Sequence, residues 1–267
     1  MDIFQAIILG IVQGVTEYLP ISSSAHLILL PWFFKWQDPG LAFDIVLHFG
    51  TLLAVLIFFW RQWLGIFFGF FKLVFGQKKW GENPDGRLAI YLFLATIPGA
   101  VIGWFFSNAA ETIFRSPVLI ASVLFIFSLV LWLADKEGSE NSKNISQTKA
   151  RKSFLIGLTQ AVAIVPGVSR SGATISAGLF LGLDKKSAAK FSFLLAAPII
   201  FGANVFKMAE ILQAGFNGAF WVGIISAALS GFVAIWFLLK FVERRSYKIF
   251  VWYRILLALA IVTIYFL

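Results

Sequence analysis

The residues able to do chemistry gather in two short stretches. The first, QGVTEYLPISSSAHL, runs from Gln13 to Leu27 and holds an amide, a carboxylate, three consecutive hydroxyls and an imidazole: Gln13, Glu17, Ser22, Ser23, Ser24 and His26. The second, PGVSRSGAT, runs from Pro166 to Thr174 and holds Ser169, Arg170, Ser171 and Thr174. A guanidinium among hydroxyls suits phosphate oxygens, because its planar fork of donors matches their geometry. A carboxylate or imidazole beside serines can move a proton to or from an attacking group. Combined, the two stretches describe a phosphate or diphosphate cradle with acid–base groups next to it. Ser23, His26 and an activated water all remain eligible as the nucleophile.

The local sequence positions these groups on interrupted helices. Gln13 and Glu17 are four residues apart and share one helix face. Pro20 ends that helix by disfavouring helical geometry just before it, and Ser22–Ser24 supply N-cap residues for a second helix starting near Ala25. His26 then falls in its first turn. In the second stretch Pro166–Gly167 breaks the chain and SRSGAT opens the next helix, with Gly167 and Gly172 allowing close approach of a ligand. Each break thus presents a helix N-terminus, which favours anions.

The rest of the chain is oily. Of 267 residues 60% are hydrophobic and 13% charged, with a mean hydropathy of +0.87, outside ordinary soluble usage. Six apolar runs are each long enough to cross a bilayer core: Ala42–Trp60, Leu88–Phe106, Pro117–Ala134, Ala188–Phe206, Ala219–Leu239 and Ile249–Phe266. Ile3–Phe34 and Phe154–Leu183 are apolar but interrupted, and read as re-entrant hairpins. The expected fold is an all-α integral membrane protein of about six transmembrane helices plus two re-entrant hairpins. It forms a single polytopic domain over residues 1–267. Nothing basic precedes Lys35, so the N-terminal segment is not expected to act as a secretory signal peptide. Cysteine is absent, and two histidines with few intramembrane carboxylates cannot build a closed protein cage for a metal. The polar run Asp135–Lys152 reads as a linker.

The net charge of +9 is a matter of topology rather than nucleic-acid binding. With both hairpins re-entrant, 17 of the 22 lysines and arginines fall in four loops on one side, at 61–87, 135–153, 184–190 and 240–248. That asymmetry places the four loops in the cytoplasm and both termini outside. Arg61–Trp80 reads as an interfacial helix with aromatic residues towards lipid. Arg254 lies near the start of its helix and is expected to snorkel to the cytoplasmic surface. Arg170 has no such escape. Asp44 and His48 share a helix face near the outer end of a span, where a supporting role is expected.

The two hairpins also resemble each other. GIVQGVTEYLPISSSA aligns with GLTQAVAIVPGVSRSGA, pairing Gly10 with Gly157, Gln13 with Gln160, Pro20 with Pro166 and Ser23 with Ser169. The order hairpin–three spans recurs in about 1–135 and 152–267. Under the charge-based threading the copies start on opposite sides, an inverted-topology repeat of the kind whose sites lie near the membrane midplane.

At QGVTE and PGVSRSGAT the chain resembles the undecaprenyl-diphosphate phosphatases, the bacterial membrane enzymes linked to bacitracin resistance. The likeness extends over essentially the whole chain. It implies removal of the terminal phosphate from a polyprenyl diphosphate, giving the monophosphate carrier for cell-wall synthesis, in the bacterial plasma membrane with the active site open to the outer face. By the same resemblance Glu17 and His26 form the catalytic pair, Ser23 is a proposed nucleophile, and Arg170, catalytic as well, binds phosphate with Ser169, Ser171 and Thr174; Gln13 is expected beside them as a further phosphate-binding group. A divalent cation, Mg²⁺ or Ca²⁺, is implied, with Gln13 and Glu17 as possible ligands, and no organic cofactor. Gln13 stands where glutamate is often found, which weakens an acid–base or metal role there. The lipid substrate and the bilayer are the expected partners; oligomeric state is left open. A flippase for the lipid monophosphate is the rival reading, since inverted repeats and broken helices also build transporters.

Overall fold

Apolar segments cross a bilayer as helices because no water is available there to satisfy their peptide groups. The computed structural model describes residues 2–107, 113–137, 144–145, 148–214 and 217–267. Part of the polar run after Asp135, at 138–143 and 146–147, lies outside the described residues. Among the described residues the regular structure is entirely helical: α1 Ile3–Tyr18, α2 Ser23–Phe34, α3 Leu41–Phe58, α4 Trp60–Val74, α5 Pro84–Phe105, α6 Pro117–Glu137, α7 Ala150–Val162, α8 Arg170–Phe180, α9 Lys185–Phe206, α10 Met208–Ala214, α11 Gly218–Val242 and α12 Lys248–Phe266.

Length separates the spans from the hairpins. α5, α6, α9, α11 and α12 are each long and apolar enough to cross a membrane. α3 and α4, bent by 81° where they meet, count as a sixth span only when taken together, so the straight helix expected to reach Trp60 stops at Phe58. At 1.5 Å per residue, α1, α2, α7 and α8 are only about 24, 18, 20 and 17 Å long, short of a bilayer core. Two pairs of short helices therefore meet inside the bundle. The stretch Arg61–Trp80, expected as one interfacial helix, is helical in α4 only to Val74; α4 packs on α5 and leaves Leu64, Phe67, Phe68 and Phe71 exposed. α10 was not foreseen; its Ile211 packs into a cluster with Phe43 and Ile224.

The helix pairs that touch come in matched sets. α1 packs on α11 and α7 on α5; α3 packs on α11 and α9 on α5; α3 meets α9, and α6 meets α12. Exchanging the first half of the chain with the second maps this set onto itself, as the internal repeat requires. Each hairpin's first helix lies against a span of the opposite half, so the halves interlock. The closest approaches use glycine. A Cβ on Gly10 would come within 2.6 Å of the Gly223 carbonyl oxygen, and one on Gly157 within 2.1 Å of the Ala95 carbonyl oxygen. α9 runs through the middle of the core, where Phe191, Phe193, Leu194 and Leu195 pack with Tyr18 and Ile235. Outward, Trp221, Leu229, Trp236, Trp252 and Leu256 are exposed, an apolar belt that lipid covers.

The interlocking predicts that Gly157→Val, which drives a branched side chain into the Ala95 carbonyl, costs about 3 kcal/mol, the upper end for overpacking. Thermal unfolding in detergent checks this. An unchanged melting temperature would mean that α7 and α5 do not approach as described.

Candidate active site

The site begins with two helix breaks. α1 ends at Tyr18 and α2 starts after N-cap Ser22; α7 ends at Val162 and α8 starts after N-cap Ser169. Both N-caps have positive φ, 73° at Ser22 and 70° at Ser169, a conformation L-residues rarely adopt and one that surrounding structure must hold. The repeat therefore pairs Ser22, not Ser23, with Ser169, and Ser23 takes the place of Arg170. The sequence alignment matched the prolines, but one more residue separates Pro166 from its N-cap than separates Pro20 from Ser22.

The tips of the breaks bond to each other. Gly167 N–H donates to Ser22 Oγ at 3.0 Å, and Ser171 Oγ donates to the Leu19 carbonyl at 3.0 Å. Ser169 Oγ caps its own helix, accepting from Gly172 N–H at 3.1 Å. Of the three serines expected as caps, Ser22 does not cap with its side chain; it spends its hydroxyl on the opposite tip.

This junction brings Ser23 and Arg170 to opposite sides of Glu17. Ser23 Oγ donates to Glu17 Oε2 at 2.6 Å, and Arg170 Nη2 donates to Oε1 at 2.7 Å. Gln13 Nε2 also donates to Oε2, at 3.1 Å. His48 Nε2 lies 3.5 Å from the same oxygen, while its Nδ1 donates to the Asp44 carbonyl at 2.7 Å. Arg170 Nη1 is tied to the Ser192 carbonyl at 2.8 Å, and Thr174 Oγ1 bonds Ser192 Oγ at 2.7 Å. Glu17, Ser23, Ser24, His48, Ser169 and Arg170 line a cavity of about 210 Å³.

Next to it is a larger apolar groove of about 500 Å³, lined by α5, α7 and α9 residues that include Gly103, Trp104, Pro198 and Phe206. Arg170, Ala163 and Ile199 line both spaces. A polar chamber thus opens into an oily trough, with one guanidinium at the boundary.

Other residues proposed from sequence sit behind the chamber. Gln13 is buried behind Glu17, Ser171 faces Leu19, and Thr174 braces Arg170 and Ser192. His26 is committed elsewhere. Its Nδ1 donates to the Ser22 carbonyl at 2.7 Å, leaving Nε2 to accept from the Tyr253 hydroxyl at 2.6 Å, with the two rings stacked. The structure does not bring it to the Glu17–Ser23 pair. His48, read as supporting, stands in the chamber wall. Ser192 and Tyr253 were missed; the only signal was a lone serine in KFSFLL and a tyrosine beside an intramembrane arginine.

For a divalent cation the chain offers few donors. No three His, Asp or Glu residues cluster among the described residues. Glu17 and the buried, unpartnered Gln13 Oε1 are hard oxygen donors one turn apart. That fits a magnesium- or calcium-type ion whose remaining ligands are phosphate and water.

Fold and site define a class: a multi-pass helical membrane protein with an acid, a hydroxyl and a guanidinium where two broken hairpins meet beside a lipid-sized groove. Residues 6–260 match the family model described as "Bacitracin resistance protein BacA", and the chain belongs to that family. It is 49% identical over 267 residues to the Undecaprenyl-diphosphatase of Moorella thermoacetica, covering 100% of this chain and 99% of the relative. It is 47% identical over 264 residues to the protein of the same name from Pelotomaculum thermopropionicum, covering 99% of this chain and 97% of the relative.

If the Glu17–Arg170 contact holds the two tips together, Glu17→Gln and Arg170→Gln each destabilise by about 2–4 kcal/mol. That is less than for a dry pair, because Arg170 lines an open chamber. The double variant should lose clearly less than the sum, as coupled neighbours do. Strict additivity in denaturation would show that the pair is not an energetic unit.

Proposed function

We propose that this protein is a polyprenyl-diphosphate phosphatase, acting on undecaprenyl diphosphate in the bacterial plasma membrane, with chamber and both termini on the outer side. The observation that carries the reading is the Ser23–Glu17–Arg170 arrangement: a hydroxyl already donating to a carboxylate that a guanidinium holds in place. Anion binding alone needs no carboxylate and is opposed by one. The names of the full-length relatives support the same substrate. The apolar groove takes the first prenyl units while the diphosphate enters the chamber.

In this mechanism Arg170 leaves Glu17 in part for the terminal phosphate and offsets charge as it develops, the largest expected contribution. Ser23 Oγ attacks the terminal phosphorus and passes its proton to Glu17. The bond from that phosphorus to the bridging oxygen breaks, and lipid monophosphate departs. Water then cleaves the phosphoserine, releasing inorganic phosphate and restoring Ser23. His48, facing Glu17, relays the proton to the outside. His26, bonded at both ring nitrogens, supports the Ser22 turn rather than attacking. Glu17 and Gln13 would hold a divalent cation arriving with the diphosphate, which supplies charge neutralisation. A flippase would need the same lipid head group bound from the opposite leaflet. The groove between α1 and α11, lined by Ile11, Val15, Leu19, Ser226 and Ser230 among others, carries no charged residue and so offers no second head-group site, which favours hydrolysis.

Purified protein in detergent should release phosphate from undecaprenyl diphosphate. Glu17→Gln should lower turnover by about 10²–10⁴, the usual worth of a positioned base, and Arg170→Ala should abolish it. Rapid quenching should trap phosphate on Ser23. Label on His26, or no phospho-enzyme with full activity in Ser23→Ala, would overturn the serine route. Chelation should stop turnover and Mg²⁺ or Ca²⁺ restore it; turnover indifferent to chelator would remove the cation from the scheme.

A further inference from the structure

Arg254 is not where its position in α12 suggested. Rather than snorkelling, it is fully buried. Its Nη1 donates to the Pro20 carbonyl at 3.2 Å, and its Nη2 to the carbonyls of Gly167 and Val168 at 2.8 and 3.1 Å. Pro20 belongs to one hairpin break, Gly167 and Val168 to the other. One guanidinium therefore grips both. Among the described residues no carboxylate lies within ion-pair distance of it, and its Nε is buried without a partner. The preceding residue, Tyr253, holds His26 in the first tip. Gly172 sits so near that a Cβ there would be 3.0 Å from Nη1, so the guanidinium also lies against the first turn of α8.

A buried cation without a counter-ion is costly. Two loops could have satisfied their carbonyls with hydroxyls or water at less expense. What a hydroxyl cannot do is reach three acceptors in two separate chain breaks from one rigid plane. Downstream of those carbonyls come the residues that meet at Glu17. Pro20 leads to Ser22–Ser23, and Gly167–Val168 to Ser169–Arg170. The separation between nucleophile and phosphate-binding cation is thus set from α12.

We propose that Arg254 is a positioning residue for the phosphatase reaction, fixing the two hairpin tips in the register that presents Ser23 and Arg170 to Glu17. The inference rests on the phosphatase reading above. Arg254 touches no substrate; it acts through the backbone of both tips.

The test compares Arg254→Lys and Arg254→Ala with wild type in detergent, following phosphate release from undecaprenyl diphosphate and thermal unfolding together. Lysine keeps the charge but not the fork. Both variants should fold, with kcat down by about 100-fold, the scale expected when reacting groups are displaced by an ångström, and KM little changed. Millimolar guanidinium should restore part of the turnover of Arg254→Ala, while ammonium at equal ionic strength should not. Turnover near wild type in either variant would overturn the inference, as would a loss confined to KM. Failure of both variants to fold would assign Arg254 to stability as a whole and overturn it too. A wild type that releases no phosphate would sink the phosphatase reading alone. The inference would then stand or fall on whether stabilisation by inorganic pyrophosphate is lost in Arg254→Ala and recovered with guanidinium.

Discussion

A helix that stops inside an apolar bundle leaves carbonyl and amide groups with nowhere to turn, and each unsatisfied group costs several kcal/mol. This chain stops twice in that setting, after Tyr18 and after Val162. The breaks are tolerated because each supplies the other's missing partners. Gly167 N–H reaches Ser22, Ser171 reaches Leu19, and Arg254 gathers the carbonyls of Pro20, Gly167 and Val168. The two tips are stable only against one another, so the interlocking of the halves and the location of the site follow from one constraint.

A symmetric frame carries an asymmetric chemistry. The N-caps Ser22 and Ser169 have nearly the same backbone geometry, and Gly10 and Gly157 make equivalent close approaches. Yet the residue after the cap is Ser23 in one half and Arg170 in the other, and the position matching Glu17 is Ile164. One tip therefore contributes hydroxyl and carboxylate, the other the cation. Two helix N-termini meeting at one point would favour anions without selectivity or reaction. Different side chains on equivalent turns convert the anion trap into a place where a proton can move.

The surroundings match a substrate with two natures. The chamber at Glu17 is polar and small, and the trough beside it is apolar and open, with Arg170 lining both. Small residues on α5 and α9, Gly99, Gly103 and Gly202, shape the trough. Hydrolysing a water-soluble phosphate would need no such trough, whereas a long prenyl chain could not leave the bilayer for an aqueous site.

Hydropathy located the long spans and the two interrupted segments, because long apolar runs are properties of the chain read in order, and the residue matches between the interrupted segments pointed to the repeat. Motif chemistry likewise brought forward Glu17, Ser23, Ser169 and Arg170, each an unusual residue at an apolar depth. Sequence did not decide which polar residues face the chamber. His26 and His48 look alike in sequence, each an imidazole four residues after a polar one; only the packing of α12 turns His26 to Tyr253 and only the placement of α3 turns His48 to Glu17. Arg254 shows the same limit. Distance from the helix end suggested escape to the surface, but the side chain answers to three carbonyls from residues 86 to 234 positions away. Long-range partners of that kind exist only once the halves have interlocked, so the tertiary structure alone could assign them.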